Sequence, residues 1–190
     1  MEDKIILIGA STGGPNTVYE LLKSLPENIP PIVVCIHMPE TFTKQLAERI
    51  TKGCKFIAKE AQSNDLLKKG TLYLCPGGKQ TRVLRTGRGY ELLVEDIGRV
   101  GGYLPSIDHT FNSFGAVVNP KNIVGVLLTG MGHDGADSLK KLRDRGAFII
   151  TQDEASSIVY GMPRVAYELG ASNIVLDYRD IGIYIANKFI

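Results

Sequence analysis

The sequence predicts an α/β fold: a doubly wound, mostly parallel sheet flanked by helices, with one antiparallel hairpin. Three observations predict it. Strand-like apolar runs alternate with helix-like segments along most of the chain. The runs Ile5–Ile8, Ile32–Ile36 and Val124–Leu128 contain no polar residue, as strands covered on both faces require. The turn Thr86-Gly87-Arg88-Gly89 separates two β-rich runs, Thr81–Arg85 and Glu91–Glu95, which reads as a hairpin appended to the sheet.

The remaining elements follow from periodicity. A helix is expected over Asn16–Leu25, with Val18, Leu21, Leu22 and Leu25 on one face. Another is expected over Thr41–Thr51, with Phe42, Leu46 and Ile50 repeating every fourth residue. Lys55–Ala58 and Thr71–Leu74 read as short strands. Asp96–Leu104 is glycine-rich and reads as a mobile loop. Ile107–Val118 reads as a helix with Ile107, Phe111, Phe114 and Val118 inward. Then come a helix over Asp134–Arg145, a strand over Phe148–Thr151 and a helix over Pro163–Leu169. A strand over Asn173–Leu176 and a helix over Ile181–Phe189 close the chain. No linker or internal repeat divides it.

Composition excludes several classes of function. With 44% hydrophobic and 22% charged residues, the 190-residue chain can bury a substantial core and is not a disordered segment. A net charge of +2, no Trp and no basic run interleaved with aromatics argue against nucleic-acid binding. No apolar run is long enough to span a bilayer, so membrane insertion is not expected. Met1-Glu2-Asp3-Lys4 leads directly into the first strand without a signal peptide's apolar stretch, so a cytoplasmic location is expected. Three widely spaced cysteines (Cys35, Cys54, Cys75) form no C-x-x-C pair, and no His, Cys and carboxylate cluster suggests a metal.

The chemistry concentrates at strand ends. Ile5–Ile8 stops at Gly9-Ala10-Ser11-Thr12-Gly13-Gly14-Pro15, which fits G-x-S-x-G, the turn that lifts a serine above a sheet. The same turn reads equally as an anion or nucleotide cradle at a helix N-terminus, although it lacks G-x-G-x-x-G and a Walker-type ending. Ligands in such folds bind beyond the carboxyl ends of the strands. His37 follows the second strand, and Asp134 follows Val124–Leu128 within Thr129-Gly130-Met131-Gly132-His133-Asp134-Gly135. Ser, His and Asp at one sheet edge are the composition of an acyl-transfer triad. Alternatives stand beside it: a structural histidine at a strand end, Asp134 as the cap of the helix it begins, His133 as the base, and a less apt His109 on a helix surface.

Taken together these motifs resemble the catalytic domain of the bacterial chemotaxis protein-glutamate methylesterases, the CheB family. The resemblance rests on Gly9–Gly14, His37-Met38-Pro39 with Phe42-Thr43, Pro76-Gly77, Pro105-Ser106-Ile107-Asp108, Thr129–Gly135, Glu154-Ala155-Ser156 and Gly161-Met162-Pro163-Arg164. It implies Ser11 as nucleophile, His37 as general base and acid, and Asp134 as the orienting carboxylate. Backbone N–H groups near Thr12 and Met131 become candidates for the oxyanion hole. It further implies glutamate methyl esters on the cytoplasmic domain of a methyl-accepting chemoreceptor as substrate, methanol as product, possible deamidation of receptor glutamines, and no cofactor. Residues 1–190 then read as a single methylesterase domain with no receiver domain. Gly102-Tyr103-Leu104 stands where relatives are basic, a departure that bears on receptor docking. The rival readings are a Rossmann-like anion- or nucleotide-binding module and a receptor-docking relative without catalysis.

Overall fold

The computed structural model describes residues 4–190, so the expectation about Met1–Asp3 lies outside the described residues. Seven strands form one sheet: β1 (Ile5–Ala10), β2 (Ile32–Ile36), β3 (Ile57–Glu60), β4 (Thr71–Leu74), β7 (Ile123–Leu127), β8 (Phe148–Gln152) and β9 (Ile174–Leu176). Their order is β3-β4-β2-β1-β7-β8-β9, and every pairing is parallel. The antiparallel hairpin of β5 (Gln80–Thr86) and β6 (Gly89–Glu95) is a separate two-stranded sheet joined through Gly87-Arg88.

Alternate residues of the central strands face opposite layers, and the helices sort accordingly. Ile6, Ile8, Val34, Ile36 and Val126 face α1 (Gly14–Leu22), α2 (Glu40–Gly53) and α6 (Tyr178–Phe189), which contribute Val18, Leu21, Leu46, Ile50, Ile181 and Ile185. Leu7, Val33, Cys35, Leu127 and Ile149 face α3 (Ile107–Val117), α4 (Ala136–Asp144) and α5 (Met162–Glu168). Phe111 and Phe114 of α3 are fully buried there. Removing either ring would cost about 3–5 kcal/mol. The hairpin covers α3 through Thr110 Oγ1 donating to the Thr81 carbonyl (2.7 Å) and the Val83 amide donating to Ser113 Oγ (3.0 Å).

Several expectations are corrected. The helix expected from Asp134 begins at Ala136, because Gly135 sits in the left-handed region (φ 91°) and ends the loop there. Phe42 is not on the buried stripe of α2; it lies in the first turn, half exposed, and Thr43, Leu46, Ala47 and Ile50 face inward. The strand expected at Lys55–Ala58 is shifted to Ile57–Glu60, and the last helix starts at Tyr178, capped by Asp177. The loop Asp96–Leu104, read as mobile, is fastened down: Val100 and Tyr103 exchange backbone hydrogen bonds, and buried Gln80 donates to the carbonyls of Gly98 (3.0 Å) and Tyr103 (2.9 Å).

The topology creates one crevice. From β1 the chain runs outward to β2 and beyond, then returns to lay β7 on the other side of β1. The order of connection therefore reverses at β1, the position where doubly wound sheets open a ligand site.

Candidate active site

The three strand ends flanking this crevice are held at one height by backbone hydrogen bonds that extend the ladder. The His37 amide donates to the Ala10 carbonyl (3.2 Å), and the Ser11 amide donates to the Thr129 carbonyl (2.9 Å). These bonds bring the turn after β1, the loop after β2 and the loop after β7 together.

Ser11, His37 and Asp134 meet there. Ser11 Oγ lies 3.0 Å from His37 Nδ1, and His37 Nε2 lies 2.7 Å from Asp134 Oδ2. Asp134 is 1% exposed and His37 16% in their side chains, so the pair is largely withdrawn from water. The Asp134 carboxylate also accepts from the amides of Ile107 (2.7 Å) and Asp108 (2.9 Å). An ionised carboxylate can only accept, so the tautomer that satisfies all three groups carries the ring hydrogen on Nε2, toward Asp134. Nδ1 then accepts from the Ser11 hydroxyl. A chain ordered this way can carry a proton from a hydroxyl onto an imidazole while the carboxylate holds the ring.

Asp134 does cap a helix, but not the one it precedes. Its donors are the first amides of α3, 26 and 27 residues earlier in sequence, where the helix N-terminus favours a negative charge. The first two free N–H groups of α3 are thereby satisfied, the next, of His109, donates to the Ser106 hydroxyl (3.2 Å), and a buried carboxylate is supported without a cation. Asp108, in the first turn of α3, accepts in turn from the Ser138 amide of α4 (2.9 Å).

The turn carrying Ser11 is held from beneath. Gly13, at the N-terminus of α1, has φ 82°, and Ser11's carbonyl accepts from the Gly14 amide (2.7 Å). Thr129 is a buried hub: its hydroxyl donates to the Thr12 carbonyl (3.0 Å) and accepts from the Val159 amide (2.9 Å). Gly130 passes so close to the turn that a Cβ there would lie 2.7 Å from Ser11 Cβ.

Thr12 follows Ser11 in the turn, and Met131 follows Gly130, which packs against Ser11. In a trans peptide the N–H points opposite to the preceding carbonyl. The Ser11 carbonyl is turned toward Gly14 and the Gly130 carbonyl toward the Met162 amide (2.9 Å), so the N–H groups of Thr12 and Met131 face away from those bonds. Among the described residues neither amide donates to a hydrogen bond.

The other candidates fall away. His109 is half-buried in α3 rather than on its surface, with Nε2 enclosed and without a hydrogen-bond partner among the described residues. His133 is exposed, and its ring lies in a T-shaped arrangement with Tyr103, at 6.5 Å between ring centroids. Cys35 is fully buried; a hydrogen bond with Cys75 and burial push its thiol well above the usual range, which keeps it protonated and unreactive.

Sequence reasoning missed Tyr103. Its ring lies flat on His37, with centroids 4.6 Å apart and planes 11° from parallel. The available signal was an aromatic residue in an otherwise glycine-rich loop directly before Pro105-Ser106-Ile107-Asp108.

Comparison with known proteins agrees with fold and motifs alike. The family model described as CheB methylesterase matches residues 6–185. A protein-glutamate methylesterase/protein-glutamine glutaminase of Albidiferax ferrireducens is 45% identical over 174 residues, covering 92% of this chain and 46% of the relative. Its counterpart from Sulfurimonas denitrificans is 42% identical over 185 residues, covering 97% and 52%. The chain thus spans about half the length of the curated relatives it matches. The crystal structure of the Thermotoga maritima CheB methylesterase catalytic domain superposes with a TM-score of 0.93 at 31% identity, covering 98% of this chain and 99% of that one. The matched segment, the doubly wound sheet and the motifs at its strand ends have one explanation: the chain belongs to the CheB methylesterase family.

Proposed function

We propose that the chain is a serine esterase that hydrolyses glutamate γ-methyl esters on the cytoplasmic helices of a methyl-accepting chemoreceptor, and that it acts in the cytoplasm. The observation that carries this reading is the continuous hydrogen-bonded chain Ser11 Oγ–His37–Asp134, at 3.0 and 2.7 Å. Family membership supplies the substrate class, through relatives named protein-glutamate methylesterase/protein-glutamine glutaminase.

In this reading Ser11 Oγ attacks the ester carbonyl as its proton passes to His37 Nδ1. Asp134 holds the ring through Nε2 and stabilises the imidazolium. The carbonyl oxygen becomes an oxyanion received by the N–H groups of Thr12 and Met131, each worth about 3–4 kcal/mol in the transition state. The tetrahedral intermediate collapses, and methanol departs with the proton from His37. Water, deprotonated by the same ring, then cleaves the glutamyl-serine ester and returns the glutamate carboxylate. A glutamine side chain entering the same site loses ammonia by the same route, which is the deamidase activity in the relatives' name. The steps are carried by side chains and backbone alone. Among the described residues no helix is long and apolar enough to cross a membrane.

A fluorophosphonate probe tests the reading. It should label Ser11 in the wild-type chain, and His37→Ala should slow labelling by about 10³-fold or more. Labelling elsewhere, or labelling unaffected by the loss of His37, would refute the assignment. Micromolar binding of a nucleotide at Gly9–Gly14 would instead favour the anion-cradle reading.

A further inference from the structure

We propose that Tyr103 is a positioning residue for His37: its ring covers one face of the imidazole and holds it in the single orientation that joins Ser11 to Asp134. The proposal rests on the reading of His37 as the general base. Two edge bonds, one at Nδ1 and one at Nε2, leave an imidazole free to tilt about the line joining them. A flat partner at 4.6 Å and 11° removes that freedom from one side. It also keeps water off that face, and an aromatic face attracts the cation that forms when Ser11 gives up its proton.

Tyr103 is itself built into place. Buried Gln80 donates to the Tyr103 carbonyl (2.9 Å) and accepts from the Ser106 amide (2.9 Å). One side chain therefore ties the tyrosine's backbone to the same α3 N-terminus that binds Asp134. The Val100–Tyr103 backbone pair closes the loop from the other side. At the far end of the ring, the hydroxyl would lie 2.8 Å from a Cβ on Gly132, so the loop after β7 leaves room for the phenol by having none. His37 thus meets Ser11 and Asp134 at its edges and Tyr103 at one face.

The role belongs to the ring, not to the hydroxyl, and that separates it from substrate binding or acid–base catalysis. The experiment compares the wild type with Tyr103→Phe, Tyr103→Leu and Ser11→Ala in methanol release from a glutamate γ-methyl ester on a helical receptor fragment. Leucine keeps the site filled and the loop packed but has no flat face. The expected result is a Tyr103→Phe variant within about twofold of wild type. Tyr103→Leu should lose about 3- to 30-fold in kcat with KM within about twofold. Nitrogen-15 spectra of the chain, which has three histidines, should show the Nε2–H tautomer of His37 in wild type and Tyr103→Phe, and a mixture in Tyr103→Leu. Wild-type kcat in Tyr103→Leu overturns the proposal, as does a loss confined to KM or a Tyr103→Phe variant as impaired as Tyr103→Leu. If Ser11→Ala itself turns over normally, the underlying catalytic reading fails, a result distinct from any of these.

Discussion

Asp108 and Asp134 each cap the helix that the other introduces. Asp134, two residues before α4, accepts from the first amides of α3; Asp108, in the first turn of α3, accepts from the Ser138 amide of α4. The two helix N-termini are thus clasped crosswise, and the carboxylate facing His37 is one half of the clasp.

This exchange predicts the behaviour of two Asp108 variants. Asp108→Ala leaves the Ser138 amide unpaired and should lower stability by about 1 kcal/mol, together with a drop in kcat as Asp134 loses its frame. Asp108→Asn retains the accepting oxygen and should recover most of both. Denaturant melts and methanol release on the same samples check this; an Asn variant no better than Ala would show that charge rather than capping matters.

Asp134→Asn has a sharper expectation. An amide presents one accepting oxygen, whereas Asp134 accepts at both, from His37 and Ile107 at one and Asp108 at the other. The NH₂ group must oppose one of these donors, and kcat should fall by about 10³- to 10⁴-fold. Steady-state kinetics checks it, with KM as the internal control.

Gly130→Ala tests the close packing under the nucleophile. The added Cβ would stand 2.7 Å from Ser11 Cβ and 2.6 Å from Met162 Sδ. The turn must move, and shifts of an ångström in reacting groups cost about 10²-fold. Activity should therefore fall about a hundredfold, and the melting temperature should drop as well, since overpacking a buried site costs about 1–3 kcal/mol. Normal turnover would mean that the turn yields without disturbing Ser11.

A pH prediction concerns Asp177 at the start of α6. The Arg179 guanidinium, with the Arg179 amide, holds its carboxyl below the usual carboxylate range. A carboxyl lowered by folding stabilises above its unfolded value and loses that contribution as pH falls through the lowered folded value. Asp177→Asn keeps the cap but not the charge. The wild type should be more stable at pH 7 by under about 1 kcal/mol, since solvent screens the pair, and the gap should close in the acid. Denaturant melts in steps from pH 7 down to pH 2 measure it; a gap that does not narrow as pH falls below the ordinary carboxylate range would contradict the linkage.

Much of this was legible in the sequence because it is local. Alternating apolar runs gave the strands, and the residues following β1, β2 and β7 meet because parallel strands end on one edge. What stayed hidden depends on contacts between distant segments. Nothing near Asp134 says that its partners are the amides of Ile107 and Asp108. Tyr103 sits in a glycine-rich stretch whose order comes from the Gln80 side chain, over twenty residues earlier. Phe42 shows the converse failure: its spacing fits the apolar stripe of α2, but in that turn the inward position belongs to Thr43, which is fully buried, and Phe42 is left half exposed.

Methanol release by Ser11→Ala, measured beside wild type on a glutamate γ-methyl ester in a receptor helix, bears most directly on the claim that one hydroxyl does the chemistry. The account predicts a loss of about 10⁴-fold or more with the fold intact. Hydrolysis within a few-fold of wild type would contradict it.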